Sequence, residues 1–273
     1  MTMTGDRPLL LFTDLDGTLL NQDDYRYQAA LPAIAALQAR QIPLIPVTSK
    51  TRAEVAALRQ ELQLQDPFIV ENGSAIFLEA ADPRFACEAT VTVDGYRCLR
   101  LGCTYAQARA GLRALGQALN TPLQGFGDLS PGDLGALTGL TPAAATLAQT
   151  REFTEPFVTP AGISAPALER AAAQLGLQVT VGDRFSHLIG AGAGKGRAVQ
   201  ALVAAFSGDR PPATLGLGNS PNDLPMLAAV DQAIVIPGPQ GPHPQLAHRG
   251  WAIAPAPAPE GWAAAVQAWL AKP

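Results

Sequence analysis

The sequence predicts an α/β protein in which a mainly parallel sheet with helices on both faces is interrupted by an inserted α+β unit. Short apolar runs alternate with helix-period segments over residues 8–82, the pattern of strands joined by crossover helices. Between residues 83 and 189 hairpin strands mix with helices, and the strand–helix alternation resumes at Gly190. The third observation is compositional: 48% of the 273 residues are hydrophobic and 15% are charged. That suffices for a large core and excludes disorder. The expected division is 1–82 and 190–273 for the core, and 83–189 for the insert.

Leu9–Phe12 with Thr13 form the first apolar run. Leu31, Ile34 and Leu37 mark one face of a helix, and Pro43–Val47 reads as the next strand. Thr51 and Glu54 have the spacing of a capping box, opening a helix whose core face is Val55, Leu58 and Leu62. Phe68–Val70 is a further strand. In the insert, Asp94-Gly95 between Thr90–Val93 and Tyr96–Leu101 is a hairpin signal. A helix with Ala108, Leu112, Leu115 and Leu119 on one face follows. A short helical stretch near Thr141–Gln149, a helix at Ala167–Leu175 and strands at Leu177–Val181 and Arg184–Ile189 complete the unit. After Gly190-Ala-Gly-Ala-Gly194 come a helix (Ala198, Val199, Leu202, Phe206), strands at Thr214–Leu217 and Ala233–Ile236, and a last helix carrying Trp262, Val266 and Trp269.

A net charge of −4 provides no electrostatic footprint for nucleic acid or acidic membranes. No apolar run reaches the length of a bilayer span, and Met1–Pro8 lacks a basic-then-apolar secretory pattern. Cys87, Cys98 and Cys103 are an odd set without zinc spacing. A reduced, cytoplasmic protein is the expectation, with oligomeric state left open. Lysine is scarce: Lys50, Lys195 and Lys272 are the three among nineteen Lys and Arg residues. Lys50 and Lys195 both lie among small residues, where a compact ammonium has room to act.

Chemistry concentrates in Asp14-Leu15-Asp16-Gly17-Thr18, directly after the first strand. Period-two geometry aims Asp14 and Asp16 the same way as they leave it. Two carboxylates that close are costly unless a cation or proton lies between them. One can attack phosphorus while the other handles the proton, and both can hold a hard cation. Open α/β sheets bind ligands beyond the carboxyl ends of their strands. Thr48-Ser49-Lys50, Gly194-Lys195 and Gly218-Asn219-Ser220-Pro221-Asn222-Asp223 also fall at such positions. Together the four segments supply the parts that phosphoryl transfer requires.

On these motifs and their order, the chain resembles the haloacid dehalogenase superfamily, which has a Rossmann-like core; the insert sits where that family carries its larger α/β cap. The resemblance implies Asp14 as the nucleophile that forms an aspartyl-phosphate, and Asp16 as the acid that protonates the leaving oxygen and then activates water. It implies Thr48 and Lys195 on phosphoryl oxygens, and Mg²⁺ held by Asp14, Asp16, Asn219 and Asp223. Ser220-Pro221-Asn222-Asp223 is equally a helix start, and capping and metal binding can coexist. Asn219 departs from the pattern, since related enzymes usually carry aspartate there. An amide oxygen can ligate a hard cation but adds no charge, so weaker Mg²⁺ binding is expected.

More narrowly, the chain resembles the mannosyl-3-phosphoglycerate phosphatase family through Val47-Thr-Ser-Lys-Thr51, Glu71-Asn-Gly-Ser-Ala75, Arg151-Glu-Phe-Thr-Glu-Pro-Phe157, Gly182-Asp-Arg-Phe-Ser-His187 and Pro259-Glu-Gly-Trp262. The implied partner is a small sugar-phosphoglycerate. Arg151 suits its carboxylate, and Glu152 and Glu155 suit sugar hydroxyls. Ser49, Lys50, Glu71, Asn72, Arg184, His187 and Asn222 are candidate lining residues. A glucosyl-3-phosphoglycerate or other sugar-phosphate phosphatase, a sugar phosphomutase, and a phosphoester-binding protein without catalysis are the competing readings.

Overall fold

The computed structural model describes residues 7–87, 90–181 and 185–271; the candidate Arg184 lies outside them. Strand β1 (Leu9–Thr13) is buried at every residue. Leu9 and Leu11 join one apolar cluster, with Ile34, Leu37 and Trp262. Leu10 and Phe12 join another, with Val199, Leu202 and Met226. Successive strand residues point to opposite faces, so the unbroken apolar run means a strand covered on both sides.

Helix α1 (Leu31–Ala39), strand β2 (Leu44–Pro46), helix α2 (Arg52–Glu61) and strands β3 (Phe68–Val70) and β4 (Ala75–Glu79) follow. The capping box at α2 forms as expected: Thr51 accepts from the Glu54 N–H, and the Glu54 side chain accepts from the Thr51 N–H. Strands β5 (Val91–Val93) and β6 (Tyr96–Arg100) make the Asp94-Gly95 hairpin. Helices α3 (Tyr105–Ala118), α4 (Pro131–Thr138) and α5 (Pro142–Gln149), strand β7 (Glu155–Val158), helix α6 (Ala165–Gln174) and strands β8 (Leu177–Val181) and β9 (Phe185–Gly190) come next. Helix α7 (Lys195–Ala204), strand β10 (Ala213–Gly218), helix α8 (Leu224–Leu227), strand β11 (Gln232–Val235), helix α9 (Pro244–Ala247), strand β12 (Ala252–Ile253) and helix α10 (Glu260–Leu270) complete the chain.

The central sheet has the order β12-β11-β10-β1-β2, parallel throughout. A parallel bridge between Val47 and Ile69 carries it on to β3, from which β4, β6 and β5 extend in antiparallel order. By hydrogen bonding, the hairpin goes with β4, and its Cys98 lies in the core cluster of β1. The second antiparallel sheet, β7-β9-β8, begins only after Arg100. Leu112 of α3 and Leu168 of α6 pack on it with Phe157 and Leu188. A small cluster of Phe126, Leu134, Ala145 and Ala148 joins α4 to α5.

Two connections join the second sheet to the core, and they run side by side. Leu101 and Gly102 both donate to the Ser74 carbonyl. A Cβ at Gly190 would stand 2.3 Å from the Cys103 nitrogen, so only glycine permits this approach. No helix among the described residues is long and apolar enough to cross a membrane.

Candidate active site

The ends of β1, β2 and β10 and the start of α7 meet at one edge of the parallel sheet, as the sequence leads one to expect of such a fold. Lys195 is the first residue of α7. Its Nζ lies 2.7 Å from Asp14 Oδ1 and 2.6 Å from Asp223 Oδ1, and all three side chains are buried. A cation at a helix N-terminus is unfavourable by about 0.3–1 kcal/mol; two buried charge-assisted bonds outweigh that. Asp223 Oδ2 accepts the N–H groups of Asn219 and Ser220, each at 3.0 Å. Expected among the metal ligands, Asp223 thus has both oxygens engaged.

Asp14 is further held through its backbone. Its carbonyl accepts from Thr13 Oγ1 at 2.7 Å, and that hydroxyl accepts from Trp262 Nε1 at 3.0 Å. Asp16 Oδ2 lies 3.0 Å from Lys50 Nζ, which is 3.7 Å from Glu54 Oε1 and 4.8 Å above the Tyr25 ring. Asp16 Oδ1 is buried and has no hydrogen-bond partner among the described residues. Thr48 is buried, and its hydroxyl accepts from the Lys50 N–H at 3.2 Å. Gly17 has φ +72°, and a Cβ there would stand 2.3 Å from Asn219 Nδ2. The glycine therefore lets the turn close against Asn219, whose Oδ1 accepts from Thr18 at 3.2 Å.

Asp14 and Asp16 border a cavity of about 290 Å³ that reaches to the insert and whose lining leaves out Thr48, Asn72, Lys195 and Asp223. Of the expected residues, Ser49, Lys50, Arg151, His187, Asn219 and Asn222 also line it. Arg151 donates through Nη2 to the Ser49 carbonyl at 2.7 Å and through Nε to Glu71 at 3.3 Å. Asn222 accepts from Ser220 Oγ, and its Nδ2 reaches Asn72 Oδ1 at 3.5 Å. Glu152 pairs with Arg52 at 2.6 Å. Glu155 is buried inside the insert, accepting from Arg109 and the Gly127 N–H. Neither Glu152, Glu155 nor Glu71 lines the cavity.

Burial, then the nearby Asp223 charge, pushes Asp14 up to about 7, although Lys195 opposes both. Burial alone acts to lower Lys195, but Asp14 and Asp223 outweigh it and hold the ammonium above its ordinary value. Lys50 is likewise held up, by Asp16 and then Glu54, against its burial. His187 is pushed down to about 3 by burial, then by the charges of Arg151 and Lys195. Its Nδ1 is enclosed without a partner among the described residues, so the ring is neutral at ordinary pH.

Among the described residues, no three or more His, Cys, Asp or Glu side chains form a metal-binding group. The core oxygen donors at the cavity include the carboxylates of Asp14, Asp16 and Glu54 and the amide of Asn219. The partnerless buried Asp16 Oδ1 beside Asp14 fits a hard cation, which such a donor set suits.

Several lining residues carry no sequence signal. Gln22 and Tyr25 come from the turn after β1, and Phe126, Thr138 and Leu140 from the insert. No motif or periodicity sets them apart. Trp262 stood out in sequence, and its bond to Thr13 shows what it does.

Comparison with known proteins places the chain in a family. The family described as haloacid dehalogenase-like hydrolase matches residues 11–88. A haloacid dehalogenase-like hydrolase from B. subtilis superposes with TM-score 0.66 at 17% identity, covering 96% of this chain and 99% of that one. The chain is 40% identical over 231 residues to a protein of Persephonella marina, 84% of this chain and 85% of the relative. It is 38% identical over 237 residues to one of Methanococcoides burtonii, 85% and 86% of the two chains. The chain belongs to the haloacid dehalogenase-like hydrolases, and it is a phosphomonoester hydrolase. Both of these relatives bear the name glucosyl-3-phosphoglycerate/mannosyl-3-phosphoglycerate phosphatase.

Proposed function

We propose that the protein is a Mg²⁺-dependent phosphatase that converts mannosyl-3-phosphoglycerate and water to mannosylglycerate and phosphate, with the glucosyl compound as the alternative substrate. One observation carries the reading. A single cavity has the carboxylates of Asp14 and Asp16 at its core end and the guanidinium of Arg151, with neutral His187, on the insert side. Such a space matches a molecule with a phosphoryl group at one end and a carboxylate and sugar at the other. The names of the relatives support the same substrate class.

Lys195 occupies Asp14 Oδ1, which leaves Oδ2 as the attacking oxygen. Asp14 Oδ2 bonds to phosphorus as the bond to the glycerate oxygen breaks, and protonated Asp16 delivers its proton to that oxygen. Asp16, now a carboxylate steadied by Lys50, takes a proton from water as that water attacks the aspartyl-phosphate. Phosphate leaves, Asp14 is regenerated and Asp16 is again protonated. Thr48 and Lys195 hold phosphoryl oxygens. Mg²⁺ held by Asp14, Asp16 and Asn219 would offset charge on the phosphoryl group. Asp223 would join those ligands through Oδ1, which accepts from Lys195 alone and keeps a second lone pair.

Residues 83–189 form the proposed specificity unit, its cavity-facing part lying beyond Arg100. Three unpaired cysteines fit a cytoplasmic setting. The test is phosphate release from mannosyl- and glucosyl-3-phosphoglycerate side by side, with Asp14→Asn as control. Turnover of either compound, abolished in the variant, is expected. No release from either compound, or release that survives Asp14→Asn, would overturn the reading.

A further inference from the structure

Glu71 is buried completely, yet it is far from idle. It follows β3 in the core at φ +48°, a left-handed conformation that a side-chain-bearing residue adopts only when its surroundings enforce it. Its own N–H donates to the Lys50 carbonyl at 3.0 Å, and the next N–H, of Asn72, donates to Thr48 at 2.9 Å. The residue is thereby tied to the loop that carries Thr48, Ser49 and Lys50.

Its side chain faces the insert. Oε1 accepts from the Glu152 N–H at 2.8 Å. Oε2 accepts from the Phe153 N–H at 3.2 Å, the Thr154 N–H at 2.8 Å, Thr154 Oγ1 at 2.7 Å and Arg151 Nε at 3.3 Å. Four donors crowd Oε2 and a fifth holds Oε1, and the side chain is wholly buried and lines no part of the cavity, so it offers nothing to a substrate hydroxyl. Arg151 is correspondingly constrained: Nε and Nη2 are shared among Glu71, Thr154 Oγ1 and the Ser49 carbonyl. Its Nη1 has no partner among the described residues, and the side chain lines the cavity.

We infer that Glu71 is a positioning residue that sets the distance between the phosphoryl end and the carboxylate end of the site. It fixes Arg151 with its free N–H groups toward the cavity, while its backbone holds the loop of Thr48–Lys50. Glu71 touches no substrate; it acts through Arg151. The inference rests on the proposed carboxylate-bearing substrate. It explains why the side chain of a core residue next to the loop of Thr48–Lys50 makes all its hydrogen bonds to one stretch of the insert, residues 151–154.

The experiment compares kcat/KM for mannosyl-3-phosphoglycerate with that for p-nitrophenyl phosphate, which has no carboxylate. It uses wild type, Glu71→Gln and Thr154→Val. Glu71→Gln replaces one acceptor oxygen by a donor; Thr154→Val removes only the bridging hydroxyl and keeps the shape, so it serves if the first variant does not fold. The ratio of the two kcat/KM values is expected to fall about tenfold or more in each variant, mainly through KM for the carboxylate substrate, the scale of one lost charge-assisted bond. A variant that loses both activities in equal proportion, or keeps the wild-type ratio, overturns the inference. Wild type that shows no preference for the carboxylate substrate overturns the substrate reading instead, so the two failures are distinguishable.

Discussion

Lys195 bridges Asp14 and Asp223: one ammonium lies 2.7 Å from the first carboxylate and 2.6 Å from the second, with all three groups buried. The bridge does two things. It spares two buried carboxylates from facing each other unpaired, and it turns Asp14 so that one oxygen is left for chemistry. Replacing Lys195 by Met leaves both carboxylates without their partner. Turnover is expected to fall about 10²–10³-fold, and the protein to lose roughly 3–5 kcal/mol. Phosphate-release kinetics and denaturant unfolding check the pair of outcomes. A variant of unchanged stability would mean that the carboxylates do not depend on Lys195.

Asn219 takes the place of a charged donor beside Asp14 and Asp16. Asn219→Asp adds a negative charge at the same distance from the backbone and keeps the bond from Thr18 Oγ1. Tighter Mg²⁺ binding, by about tenfold, is expected from the higher ligand charge. Isothermal titration of the purified wild type and variant with Mg²⁺ measures it directly. Equal dissociation constants would remove Asn219 from the metal site.

Asp14 also makes the cation-free protein sensitive to pH. Its folded value, about 7, lies above the ordinary carboxylate value of 3.8, so the folded state binds the proton more tightly than the unfolded one. That contribution to stability is complete below about pH 4 and is lost as pH rises through about 7. Thermal unfolding in chelator should therefore fall in midpoint across this window. Asp14→Asn should flatten the slope; an unchanged slope would refute the assignment.

His187 works in the opposite direction. Its folded value of about 3 lies below the ordinary 6.5, so its contribution is present above about pH 6.5 and disappears as pH falls toward 3. His187→Gln keeps a polar side chain that cannot titrate. Between pH 6.5 and 4 the variant's melting temperature should drop less than that of wild type. Parallel curves would show that His187 is not enclosed as a neutral ring.

Much of the site was legible because its signals are local. Asp14-Leu15-Asp16-Gly17 needs only strand periodicity and a turn, and the Thr51–Glu54 cap needs only a three-residue spacing. The roles of individual lining residues were not legible in the same way. Glu71, Glu152 and Glu155 are all acids near recognisable motifs, yet each spends its charge on protein partners: Arg151 with backbone N–H groups, Arg52, and Arg109. Nothing in a linear pattern says whether a carboxylate faces a cavity or a guanidinium. The hairpin at Asp94-Gly95 was equally clear as a hairpin, but not its partner. Ala75–Glu79 forms β4, and this edge receives β6.

Taken alone, the sequence determined the alternation of strands and helices, the position of four polar segments at the edge of the parallel sheet and the paired carboxylates of Asp14 and Asp16. Each of these depends on neighbours within a few positions along the chain. Tertiary structure alone decided that Lys195 would sit between Asp14 and Asp223, that Trp262 would brace Thr13, and that Glu71 would take five donors from residues 151–154. Those contacts join groups 28 to 249 positions apart. They are chosen by which surfaces pack and which buried charges find partners, and that choice exists only once the chain has folded.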